Sequence, residues 1–197
     1  MTVPSANLPV LKPVFCFPDR WLVIDLSEPG SIAVKIRDYA DRNVLAPVDD
    51  ETRRQICGRI QESVGAALDA DAAIWAGALI PGEPFLFSLT CVVRCLSMPR
   101  NDAEELIETM LETGQDTEVF TSRLSRGIRQ WIPLPPPELT SDAALAQEAV
   151  IYSLTDSKHD ALLQLSFTLP VVKDKTVFTS LFDSIAGTWW LVNREKQ

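Results

Sequence analysis

"ALLQLSFTL", residues 161–169, alternates along most of its length: Ala161, Leu163, Leu165, Phe167 and Leu169 fall on one side, Gln164, Ser166 and Thr168 on the other. A period of two belongs to a β-strand, and one apolar side against one polar side is the habit of an antiparallel sheet covered on one face. Residues 85–97 repeat the pattern, with Phe85, Phe87, Leu89, Cys91, Val93 and Cys95 opposite Ser88, Thr90 and Arg94. Working outward, "RWLVIDLS" (20–27) and residues 72–80, 117–124, 127–133 and 145–155 read as further strands. Turn chemistry separates them at "PGEP" (81–84), "SRG" (125–127), the longer "PLPPPELTSD" (133–142) and "DSKHD" (156–160).

Helical spacing occupies the gaps. A first helix starts at Ser31, carries Ile32, Ile36 and Tyr39, reaches Val44 and Leu45, and is stopped by Pro47. A second repeats Ile56, Ile60, Val64 and Leu68, with Asp49 or Asp50 as its cap; Gly58 and Gly65, a heptad apart, permit close approach of a neighbour. "NDAEELIETMLETG" (101–114) is a third, with a capping box from Asn101 to Glu104, an apolar face of Leu106, Ile107, Met110 and Leu111, and an exit at Gly114. The last begins near Asp174 and runs a broad stripe through Val177, Phe178, Leu181, Phe182, Ile185, Ala186 and Trp189, which places Trp189 in the core. Trp190, turned by roughly 100° on the same helix, is left as a candidate contact residue. The fold class is therefore α+β: a single antiparallel sheet of about six to seven strands flanked by helices. It forms one domain over 1–197, with a proline-containing arm (1–20) and a sandwich over 21–192.

The chain has 197 residues, is 46% hydrophobic and carries a net charge of -9. That charge repels phosphate backbones and anionic membranes, so neither nucleic acid nor membrane is an expected partner. No secretory signal is read at the start and no apolar run reaches the roughly 20 residues of a membrane helix, which points to the cytoplasm. Cys91 and Cys95 share a strand face roughly 13 Å apart, beyond the ~7 Å limit of a disulfide. The four cysteines are read as unpaired core residues, and no metal or cofactor is expected.

No catalytic constellation emerges. His159, the only histidine, sits in a turn, Cys57 lies on an apolar helix face, and no glycine-rich phosphate cradle is present. The distinctive charge feature is residues 101–120, which hold Asp102, Glu104, Glu105, Glu108, Glu112, Asp116 and Glu118 and no lysine or arginine. Glu104, Glu108 and Glu112 recur every four residues, so like charges repel along one helix surface and a basic partner would relieve them. Glu104, Glu105, Glu108, Glu112 and Trp190 are the candidate partner-binding residues.

"FPDRWLVIDLS" (17–27) and "LLQLSFTLPVVKDKTVFTSLFDSIAGTWWLV" (162–192) together resemble the two ends of small uncharacterised actinobacterial proteins. Those in turn are similar to the PsbP-like α/β sandwich group, which includes LpqN-type lipoproteins. The resemblance implies an α/β/α sandwich and a binding or assembly role without shared catalytic residues. The expectation is a non-enzymatic, cytoplasmic protein-interaction or accessory protein, for example a secretion-system chaperone, with a protein partner of basic character; homo-oligomers are compatible with it. The alternatives are a small-molecule-binding domain or enzyme with a pocket between sheet and helices, and an immunity protein against a basic toxin.

Overall fold

The structure, a computed structural model, describes residues 11–43, 49–79, 87–114, 116–134, 147–156, 159–171 and 174–193. In chain order its elements are β1 (Leu11–Val14), β2 (Leu22–Asp25), α1 (Ile32–Asn43), α2 (Asp50–Asp69), β3 (Ile74–Leu79), β4 (Phe87–Ser97), α3 (Arg100–Thr113), β5 (Thr117–Thr121), β6 (Ser125–Leu134), β7 (Gln147–Asp156), β8 (Ala161–Pro170), α4 (Thr176–Ala186) and β9 (Trp190–Asn193). Seven strands make one antiparallel sheet in the order β2-β3-β4-β8-β7-β6-β5. β8 lies at its centre, with Val93 opposite Leu165 on one side and Tyr152 opposite Leu165 on the other.

The alternation works as expected on one face. Cys91, Val93, Val150, Tyr152, Leu154, Leu163, Leu165, Phe167 and Leu169 are buried there under Phe182, Ile185 and Ala186 of α4, with Trp189 beyond it. Each fully buried valine, leucine, isoleucine or phenylalanine among them contributes about 1.5–3 kcal/mol of apolar burial. Rings of Phe120, Tyr152, Phe167 and Phe182 run across this face with successive centroids 5.2, 5.7 and 4.2 Å apart. The opposite face carries two separate clusters. At the β2–β3 end, Ile36, Tyr39, Ile56, Ile60 and Val64 of α1 and α2 enclose Trp75. At the other end, Ala103 and Ile107 of α3 cover Ile128 and Leu162. Helices thus lie on both faces of the sheet.

Several expectations are corrected. Beside the seven-stranded sheet there is a second, two-stranded ribbon in which β1 pairs antiparallel with β9, Leu11 opposite Asn193 and Val14 opposite Trp190. The arm at 1–20 therefore contains a strand, and the last helix stops at Ala186 rather than continuing through the tryptophans. Gly187 caps it, its N–H donating to the carbonyl of Asp183. Trp189 is buried as expected, whereas Trp190 owes its exposure of 44% to the alternation of a strand, not to rotation about a helix. Within the helices, Leu68, Leu106 and Val177 are exposed, and Ala67 and Ala103 take the inward positions. Val44, Leu45, Pro47, Phe85 and "PGEP" lie outside the described residues.

Caps follow the same mixture. Asp49 caps α2, its carboxylate accepting the Thr52 N–H at 2.6 Å, as anticipated. No box forms on α3: the helix begins at Arg100, whose N–H donates to Asp160 at 3.3 Å, and Glu104 turns back to the Arg100 side chain instead. Gly58 and Gly65 have open space where a side chain would sit, so neither is a close-approach site within the described fold. Gly58→Ala is consequently expected to stabilise the protein by about 1 kcal/mol through helix propensity alone. Urea unfolding of the two proteins measures it, and a loss of stability would show that the position is occupied.

Candidate functional site

The β5–β6 turn is fixed by its own hydroxyls. Ser122 Oγ accepts the N–H groups of Leu124 and Ser125 at 3.2 and 3.1 Å and lies 2.9 Å from Ser125 Oγ. The indole N–H of Trp189 donates to Ser125 Oγ at 3.1 Å, which satisfies the one polar atom of a buried ring and holds the turn to the core. The "SRG" turn is thereby displaced: the reversal occupies residues 122–124, and Ser125, Arg126 and Gly127 already belong to β6. Arg123 and Leu124 are exposed at this hydrogen-bonded corner.

That corner faces α3 across an open trough of about 560 Å³. One wall is the helix, with Arg100, Glu104, Ile107, Glu108 and Leu111; the other is the hairpin, with Val119, Arg123, Leu124 and Arg126. Val119 is 57% exposed and Leu124 47%. Both signs of charge line the space, yet among the described residues the only ion pair there is Arg100–Glu104, at 2.7 Å and along the helix rather than across the trough. Arg123 and Arg126 do not reach Glu108. Of the candidate residues, Glu104 and Glu108 line the trough, while Glu105 and Glu112 are exposed and do not line it. Trp190 belongs to the β1–β9 ribbon, so it is not gathered into the trough. Sequence reasoning missed the arginine wall because the misplaced turn hid the hairpin that aims it.

β5 is an outer strand of the sheet, and its free edge pairs with no strand among the described residues. Charge is distributed unevenly along it. Glu112, Asp116 and Glu118 sit toward its N-terminal end, Arg123 and Arg126 toward its C-terminal end.

A second polar group lies on the α4 face. The Arg129 guanidinium donates to both Asp183 carboxylate oxygens at 2.7 Å and also pairs with Glu118, and Tyr152 donates its hydroxyl to Asp183 at 2.6 Å. Burial and the Asp183 carboxylate push the Tyr152 phenol far up; burial opposes the Arg129 charge, but the carboxylates prevail and raise it. Both groups are held in the protonation state they already have at neutral pH, so neither exchanges a proton there. The effect is to fasten α4 to β6 and β7, and Lys175, 2.9 Å from Glu148 and 4.4 Å from the Trp131 ring centroid, adds a tie at the helix start.

The cysteines divide by burial. Burial pushes the thiols of Cys91, Cys95 and Cys57 up, away from reactive thiolates. Cys16 is exposed, which corrects the expectation that all are core residues. His159 is half-buried and engaged, not a freely exposed turn residue. Among the described residues no group of ligating side chains is arranged to hold a metal, and no helix is long and apolar enough to cross a membrane. A second cavity of about 510 Å³ lies between α1 and α2, where Ala33, Ile36, Cys57 and Gly58 meet Arg37, Arg53 and Arg54.

No protein-family model matches the chain, and no curated protein matches it. Among solved structures it is similar to a protein from Bacteroides thetaiotaomicron, with 9% identity and a TM-score of 0.40 over 62% of this chain. The match spans 46% of that protein, less than half its length. It is also similar to cyanobacterial PsbP (CyanoP) from Synechocystis sp. PCC 6803, with 12% identity and a TM-score of 0.29 over 98% of each chain. The likeness to PsbP is distant and structural, and carries over neither activity nor partner.

Proposed function

We propose that this is a non-enzymatic protein-interaction protein, an accessory factor or chaperone acting in the cytoplasm, that docks a protein on the surface formed by α3, β5 and the β5–β6 turn. The observation that carries it is the trough in which Ile107, Leu111, Val119 and Leu124 lie among charges of opposite sign that do not pair across it. Burying those apolar side chains is favourable, and the unspent charges beside them favour one partner over others. The arginine wall also refines the partner: it brings both signs of charge, a basic group toward Glu108 and an acidic one toward Arg123 and Arg126. A secretion chaperone and an immunity protein are both members of this class.

Affinity purification with wild-type bait and with Leu124→Asp bait, followed by reconstitution from purified components, tests the proposal. The partner should bind the wild type and lose at least about tenfold in affinity for the variant. Equal binding to both would remove the trough from the interface. A second reading, a small-molecule ligand, is favoured by the α1–α2 cavity, whose volume lies in the range of ligand sites and whose lining combines Ala33, Ile36 and Cys57 with Arg37 and the Arg53–Asp41 ion pair.

A further inference from the structure

The docking surface has a property that narrows its occupant. Among the described residues β5 presents a free edge, with Val119 at its middle, carboxylates toward one end and guanidinium groups toward the other. An edge strand with unpaired backbone groups is a template for another strand. The fold does little to blunt this one: β5 has five residues, no proline and no lysine, and Val119 is its most exposed apolar side chain.

Consider a second copy brought up antiparallel across a two-fold axis through Val119. Val119 then meets its own equivalent, Glu118 lies opposite Phe120 of the copy, and Thr117 opposite its Thr121. The same operation carries the Arg123 and Arg126 end of each copy to the Glu112 and Asp116 end of the other, next to the C-terminal half of α3 with Glu108. Each trough receives the charges that its own walls leave unpaired, and the contact is isologous, so it closes at two copies. A parallel approach would set acid against acid. Charge polarity along a single edge is thus self-complementary in one orientation only.

We propose that this protein forms a two-fold dimer by antiparallel β5–β5 pairing, joining two seven-stranded sheets into one of fourteen and seating the hairpin corner of each copy, with Arg123 and Leu124, against the C-terminal half of α3 of the other. This rests on the docking reading above, for which it names the first partner.

Light scattering coupled to gel filtration, run over a dilution series of the full chain, reads the mass directly. A dimer is expected, and Val119→Lys, which places two ammonium groups on the axis, should weaken it at least about tenfold. A charge exchange separates this interface from any other. Arg123→Glu with Arg126→Glu forms one variant, and Glu108→Lys with Glu112→Lys the other. Each alone should be monomeric, with an unchanged circular dichroism spectrum and cooperative melting, because each pairs like with like. Mixed, they should form a heterodimer, both of whose contact zones are complementary. A monomeric wild type, or a dimer indifferent to Val119→Lys and to the exchange, overturns the proposal. If the wild type is monomeric while another protein still binds in a Leu124-dependent way, the dimer falls and the docking function stands; if neither association occurs, both fall.

Discussion

Trp189→Ala is expected to lower the free energy of unfolding by about 4 kcal/mol. The residue is 1% exposed and closes the core between α4 and the sheet. Removing its ring leaves a cavity that the surrounding Phe182, Ile185 and strand residues cannot fill without shifting. It also leaves Ser125 Oγ without its indole donor. Trp189→Phe separates these effects: most of the apolar area stays, the N–H is lost, and the cost falls to about 1 kcal/mol. Urea unfolding of the pair measures both. Similar losses for the two variants would mean that the hydrogen bond dominates, and a loss below about 1 kcal/mol for alanine would remove Trp189 from the core.

Gly127→Ala should cost about 3 kcal/mol although it adds only a methyl group. Gly127 sits in β6 opposite Leu154, and a Cβ there would overlap the carbonyl oxygen of Ser153 in the neighbouring strand. The obstacle is backbone, so no rotamer relieves it and the β6–β7 pairing must move. Gly30, exposed and with nothing within 4 Å of the same position, is the matched control. Its alanine variant should lie within about 0.5 kcal/mol of wild type. Equal melting of the two variants would show that the strands yield at little cost.

What local pattern controls, the sequence expresses well. The alternation at Ala161, Leu163, Leu165 and Phe167 and the four-residue steps of Ile56, Ile60 and Val64 reflect burial against a flat sheet and a single helix face, and both are found as read. Boundaries were less legible, because a break competes with a pattern that continues by coincidence. From Ile185, a helical step of four residues lands on Trp189, yet Gly187 and Thr188 end the helix and the ring reaches the core from a connecting segment. The β1–β9 pairing joins residues so far apart that no local signal marks it, and Pro13, tolerated at an edge, argues locally against a strand. Half of the candidate site was visible as an acidic helix. Its arginine wall depends on where a hairpin turns, and three residues of error in that turn moved Arg126 from a strand into a loop.

The β1–β9 ribbon makes the molecule wait for its own tail. The partner of β1 is synthesised about 180 residues after it, roughly 10–40 s later at ordinary rates of synthesis. Through that interval Phe15, Phe17 and Trp21, which the finished fold packs against the α4 face, have neither α4 nor Leu191 to cover them. The seven-stranded sheet can be assembled while the chain is still growing; the clasp across it cannot. The nascent protein is therefore sticky around Phe15, Phe17 and Trp21 until α4 and β9 have been made, and a slow codon or a pause between β1 and β9 would prolong that exposure.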